Sequence, residues 1–212
     1  MVVNLLTFAD VIHRLGDVPT DRIRAVPAPG QAGVDDVSRI LDKEGKICEL
    51  VDGILVEKPM GMLESALAGY IVYLLDAFTR PKNLGIILGA DGTIQIQLNL
   101  VRIPDVAFIS WDRIPGRRLP KEAVPLIVPN LAVEVLSKGN TQREMAIKRE
   151  DYFQAGVELV WEVDPRKRTV AVYSSATEEI TLTTDDTLDG GTVLPGFQLP
   201  LKDLFSELDR QG

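Results

Sequence analysis

Asn130-Leu131-Ala132-Val133-Glu134-Val135-Leu136 decides how this chain is read. Between Leu131 and Leu136 the run is apolar except for one carboxylate. A short apolar run of this length marks a central strand buried on both faces. Alternation puts Asn130, Ala132, Glu134 and Leu136 on one face and Leu131, Val133 and Val135 on the other. A carboxylate in the middle of such a strand is costly unless it is paired, protonated or bound to a metal. Glu134 is therefore the partner of one arginine, a solvated residue on an edge strand, or part of a polar site.

Working outward, Thr141 to Ala155 reads as a helix, with Thr141 and Glu144 as a capping box and Gly156 as its stop. Leu159 to Asp164 and Thr169 to Tyr173 read as strands turned by Pro165 to Arg168. Upstream, Arg102 to Ser110 reads as one strand that begins through Pro104. Ile86 to Leu88 leads through Asp91-Gly92 into an alternating strand, Thr93 to Leu98. Leu63, Leu67, Ile71, Leu74, Leu75 and Phe78 form one apolar stripe on a helix from Leu63 to Phe78. Ile47 to Glu57 is a hairpin about Asp52-Gly53. Thr7 begins a short helix stopped by Gly16, Pro19 to Gly33 is loop, and Asp35 to Glu44 is a second short helix before Gly45. Beyond Tyr173 the chain reads as loop and short strand, then a final helix near Leu201 to Leu208. This order predicts an α/β (α+β) fold, a central mixed sheet flanked by helices. Residues 1–45 read as a helical accessory segment packed on a core formed by 46–212, one domain overall.

Composition narrows the chemistry. The 212 residues, 45% hydrophobic and 25% charged, suit one large domain with a real core. The single cysteine, Cys48, excludes an internal disulfide and a cysteine-based zinc cluster, and the single histidine, His13, excludes a histidine-rich metal site. No basic segment leads into a long apolar run at the N-terminus. The apolar stretch from Leu67 to Leu75 is short of the ~20 residues that span a bilayer. The expectation is a soluble, cytoplasmic protein with no membrane partner. The net charge of -8 argues against a uniformly basic surface for nucleic acid. Basic residues gather locally, however, at Arg113, Arg117, Arg118 and Lys121, at Lys138, Arg143, Lys148 and Arg149, and at Arg166 to Arg168. Local potential counts for more than the total.

Three further residues carry chemistry. Asp105 follows Pro104 in Ile103-Pro104-Asp105-Val106-Ala107-Phe108-Ile109, another acid in an apolar strand. Its bland reading is an exposed strand end. Two such acids on neighbouring strands would repel, and a hard divalent cation keeps both ionised. Lys148 lies on the helix after the Glu134 strand; its bland reading is an i,i+4 pair with Glu144. Tyr152 shares the Lys148 face and reads as core packing. Glu49 is isolated in the first hairpin, a supporting carboxylate or a surface glutamate. Asp164, before Pro165, reads as turn chemistry.

Five segments occur in order: Glu49 to Gly53, Arg102 to Val106, Leu131 to Ser137, Lys148 to Tyr152, and Trp161 to Pro165. Together they resemble the Uma-two family of putative restriction endonucleases, within the PD-(D/E)XK nuclease superfamily. The resemblance implies a restriction-endonuclease-like fold and a metal-dependent endonuclease that hydrolyses phosphodiester bonds of nucleic acid, DNA before RNA. It implies that Asp105 is the Asp of the Pro-Asp motif and Glu134 the second acid. The superfamily lysine two residues after that acid is Leu136 here, and the Uma-two pattern places it at Lys148. Glu49 matches an acidic position with a catalytic role. Many members carry Asp at Asn130 and Pro at Lys138; the Asn130 change removes a helper carboxylate. The expected cofactor is Mg²⁺, with Mn²⁺ able to substitute, held by Asp105, Glu134 and the backbone carbonyl of Val135. Cutting both strands of a duplex favours a homodimer. The rivals are a catalytically inactive nuclease-fold binding or regulatory module and a carboxylate glycosidase, for which 6% aromatic content gives little sugar platform.

Overall fold

Among the described residues two main sheets and a two-stranded ribbon form where one sheet was expected. The structure, a computed structural model, describes residues 7–59 and 61–211. The first sheet is four-stranded and antiparallel. The hairpin of β1 (Cys48–Val51) and β2 (Ile54–Glu57) turns on Asp52 and Gly53, both at positive φ. β5 (Leu100–Arg102) and β4 (Ile94–Gln97) complete the order β2-β1-β5-β4. The second sheet is six-stranded, in the order β10-β9-β8-β7-β6-β3. It contains β3 (Gly85–Leu88), β6 (Val106–Ser110), β7 (Leu131–Val135), β8 (Leu159–Asp164), β9 (Thr169–Tyr173) and β10 (Glu179–Leu182). β7 and β8 pair in parallel, and the other pairs are antiparallel. Parallel neighbours need a long crossover. Here it is α4 (Gln142–Ala155), with the capping box of Thr141 and Glu144 and a left-handed Gly156 at its end.

The expected single strand from Arg102 to Ser110 is corrected: β5 and β6 belong to different sheets. Ile103-Pro104-Asp105 crosses between them. Pro104 has no N–H for a ladder, so the strand breaks there. The loop and short strand expected beyond Tyr173 hold more strand than that, β10 and a ribbon of β11 (Thr187–Gly190) and β12 (Leu194–Pro200), and the expected final helix follows as α5 (Leu201–Ser206).

Burial follows the alternation. Val106, Phe108, Leu131, Val133, Val135, Trp161 and Val163 face one side of the large sheet. α3 (Met62–Thr79) and α5 cover that side through Leu67, Ile71, Leu75, Leu204 and Phe205. By length and composition alone α3 could cross a membrane, but this stripe is packed on the sheet. Leu63, placed in the stripe by its spacing, is exposed instead. The other side of the sheet meets α4 and β4, where Ala132, Val160, Tyr152, Ile94 and Ile96 form a second cluster. α4 is thus held between the two sheets. α1 (Phe8–Arg14) and α2 (Val34–Glu44) pack on the small sheet. α1 is tied to the start of α4: Gly16, at φ +80°, would push an added Cβ to 2.5 Å from the Glu144 backbone nitrogen, and Thr141 Oγ1 donates to its carbonyl.

Candidate active site

The polar site lies where the chain crosses between the sheets. Val106 pairs with Val133, and continuing that register by one residue sets Asp105 opposite Glu134. Alternation turns both toward α4. Asp105 leaves the ladder and uses its side chain instead: Oδ2 accepts the Val135 N–H at 2.7 Å. In a strand a residue's N–H and C=O point the same way. The Val135 carbonyl is therefore directed to the Asp105 side.

Lys148 reaches this face from α4. Its Nζ stands 2.9 Å from Glu134 Oε1 and 3.0 Å from Glu49 Oε1. Tyr152, one turn on, donates its hydroxyl to Glu134 Oε1 at 2.6 Å. Glu49 arrives from β1 with both oxygens engaged: Oε2 takes Arg102 Nη1 at 2.7 Å, and Oε1 also takes the Ile103 N–H at 3.2 Å. Arg102 in turn binds Asp151 of α4, with Nε at 3.1 Å. All of these charged groups are buried.

The bland reading of Lys148 is overturned. Glu144 pairs with Arg22 at 2.7 Å, and Lys148 turns to Glu49 and Glu134 instead. Glu49 is not a surface residue, and Tyr152 combines a buried ring with a working hydroxyl. Asn130 shares the Glu134 face, but it lies roughly 13 Å along the strand at ~3.3 Å per residue. There its amide accepts the Ser110 N–H and donates to Glu158. A helper carboxylate at that position would not reach Glu134. Asp164 caps its turn through the N–H groups of Arg166 and Lys167.

Four charged residues of this region had no role in the sequence reading. Arg102 and Asp151 support Glu49. Lys58 places Nζ 2.8 Å from Asp105 Oδ1. Glu162 lies beside Glu134 in the parallel register and pairs with Arg149 at 2.6 Å. The one signal for Arg102 and Glu162 was a charge inside an apolar strand, the signal that marked Glu134. Lys58 and Asp151 sit in polar surroundings and carried none.

Burial and charge work against each other here. Burial raises the pKa of Glu134, Lys148 lowers it, and the facing Asp105 raises it again; the net direction is upward. Burial also disfavours the Glu49 anion, but Lys148 and Arg102 outweigh it and hold the group down to about 2. Burial alone would discharge Lys148; Glu134 and Glu49 reverse that and raise its pKa. The lysine therefore stays an ammonium at any working pH.

The donors on offer to a cation are oxygens, which suit a hard metal. Among the described residues no group of three or more His, Cys, Asp or Glu side chains could hold a metal ion. Two carboxylates and a carbonyl fit Mg²⁺, which keeps several of its waters. Asp105 also lines a cavity of about 330 Å³ with Ser65, Gly69, Ala90 and Asp91. A second cavity, about 810 Å³, opens beyond β7 and β8 and is lined by Glu162, Arg149, Arg166 and Lys167. Much of the local basic charge is already paired: Arg113 with Glu158, Arg143 with Asp17, and Arg168 with Asp209.

Comparison with known proteins bears on the family and the fold. Residues 34–202 match the model of the Uma2 family, described as a putative restriction endonuclease. Among solved structures, the chain is similar to the crystal structure of a putative nuclease belonging to DUF820 from Anabaena variabilis ATCC 29413. The two are 23% identical, with 81% of this chain and 98% of that chain covered and a TM-score of 0.70. At that identity the likeness is one of fold. No curated protein matches the chain.

Proposed function

The chain belongs to the Uma2 family of putative restriction endonucleases, and from that premise we propose that it hydrolyses phosphodiester bonds of nucleic acid, DNA first, with Mg²⁺. The supporting observation is the meeting of Asp105 and Glu134 on adjacent strands, with the Lys148 ammonium on Glu134. Asp105, Glu134 and the Val135 carbonyl would hold the metal, and Mn²⁺ would serve in its place. When bound, the ion lowers the pKa of a coordinated water and neutralises phosphate charge.

The protein's own groups do the rest. The Val135 N–H fixes the Asp105 carboxylate, and the Tyr152 hydroxyl fixes Glu134. A permanent ammonium is a poor base, so Lys148 acts by charge and hydrogen bonding. Two of its three N–H groups meet Glu49 and Glu134. The third is left to orient a water or a phosphate oxygen. Glu49 is a positioning residue, saturated by Lys148, Arg102 and the Ile103 N–H. Cleavage of both strands would need two copies about a two-fold axis, and a reducing cytoplasm suits the lone buried thiol of Cys48.

One observation favours a second reading, a nuclease fold that does no chemistry: Lys58 already sits on Asp105. A cleavage assay separates the two. Wild type and Asp105→Asn are incubated with single- and double-stranded DNA and with RNA, with Mg²⁺ or with chelator. The nuclease reading expects metal-dependent cutting by wild type and a loss of about a thousandfold or more in the variant. Equal traces from both proteins would leave the inactive reading standing.

A further inference from the structure

Lys58, just beyond β2, is the cation that the reading above leaves without a task. Its side chain is 5% exposed. Nζ meets Asp105 Oδ1 at 2.8 Å, the Ile103 carbonyl at 2.6 Å and the Ala90 carbonyl at 3.2 Å. An ammonium carries three N–H groups. These three acceptors use them all, so Lys58 has nothing left for a substrate phosphate. The arrangement is a small cage of hard oxygens around a positive charge, the kind of surrounding a divalent cation seeks.

The cage lies next to an opening. Of the four buried carboxylates that Lys58, Arg102 and Lys148 contact, Glu49, Asp105, Glu134 and Asp151, Asp105 alone lines the cavity of about 330 Å³, and Ala90 of the cage lines it too. Against those four stand three cations with buried side chains, Lys58, Arg102 and Lys148. Arg102 and Lys148 are committed to Glu49, Asp151 and Glu134. Lys58 serves Asp105, on a flexible four-carbon stem.

We propose that Lys58 is a resident counter-ion that competes with the divalent metal for Asp105, so that loading the site means moving the ammonium off Oδ1. The proposal rests on Asp105 being a metal ligand. The lysine keeps the metal-free site neutral enough to stay folded and sets the metal affinity lower than the oxygens alone would give. A positive charge this close to a ligand oxygen repels an incoming cation even at the effective dielectric of a protein; its removal should tighten binding about tenfold or more.

The test is calorimetric titration with Mn²⁺ of wild type, Lys58→Gln, and Lys58→Gln combined with Asp105→Asn, with folding checked by circular dichroism. Glutamine keeps a donor for the two carbonyls; Lys58→Met takes its place if the glutamine variant does not fold. The expected result is binding at least about tenfold tighter in the single variant, and its loss in the double variant. Unchanged or weaker binding by the folded single variant overturns the proposal and leaves the nuclease reading intact. Binding by the single variant and none by wild type supports the proposal and contradicts a metal-loaded wild type. Binding by neither overturns both. A second measurement needs no substitution: Mg²⁺ titration of wild type should shift the Lys58 ε-methylene signals in carbon-detected NMR, and signals that stay fixed while metal binds overturn the proposal.

Discussion

Lys148 Nζ lies 2.9 Å from Glu134 Oε1, in a contact where neither side chain is more than 5% exposed. The contact joins α4 to the central strand, and a methionine at 148 would strand Glu134 and Glu49 together. Breaking one side of a buried pair costs about 3–5 kcal/mol. Lys148→Met should lose stability of that order in denaturant titration at pH 7, and less at pH 5. The difference has a definite sign: the raised pKa of Glu134 lets that group take up a proton and dispense with its counter-ion. An equal loss at both pH values would contradict the pairing.

Asp105→Asn separates chemistry from folding. The amide oxygen can still accept the Val135 N–H, but the buried Lys58 ammonium loses its carboxylate partner, so the variant should stay folded with a loss of no more than about 3–5 kcal/mol. The negative charge is gone, and Mn²⁺ affinity should fall at least about a hundredfold by calorimetry. A stable variant that binds metal as well as wild type would remove Asp105 from the site.

Tyr152→Phe deletes the hydroxyl that meets Glu134 Oε1 at 2.6 Å. A hydrogen bond to the anion favours the anion, so its loss should raise the Glu134 pKa further. The acid limb of the kcat/KM profile should then move to higher pH, with the plateau changed less than about tenfold. A uniformly lower profile with an unmoved limb would make Tyr152 a packing residue only.

Glu49 makes a linkage prediction. Its folded pKa, about 2, lies below the unfolded carboxylate value. The unfolded state therefore binds more protons at mildly acidic pH, and the stability it contributes is present above about pH 4.5 and lost as pH falls toward 2. The contribution is about 3 kcal/mol. Urea titrations from pH 5 to pH 2.5 should show a steeper decline in wild type than in Glu49→Gln; parallel curves would contradict it.

The sequence showed most where local chemistry is self-sufficient. The Asp52-Gly53 turn, the Thr141–Glu144 capping box and the glycine stops at Gly45 and Gly156 form as their residue types dictate. Glu134 and Asp105 were visible because a charge stands out in an apolar strand. The break between β5 and β6 was hidden because apolar residues continue through Ile103, and Pro104 suits a strand start as well as a crossing. Lys58 and Asp151 were hidden because their partners come from distant segments. Lys148 misled for the opposite reason: Glu144 offered a local partner, but Arg22 claimed it through the docking of the N-terminal segment on α4. The edge strand β10 is only four residues long and mostly exposed, so its brief alternation gave little to read.

The central claim is that Asp105 and Glu134 share one hard cation. Anomalous diffraction from a crystal soaked in Mn²⁺ measures this directly. The account predicts one peak between the two carboxylates, about 2.2 Å from an oxygen of each and on the Val135 carbonyl side, absent from an Asp105→Asn crystal soaked alongside. A peak elsewhere, or density between those side chains that persists in the variant, would contradict it.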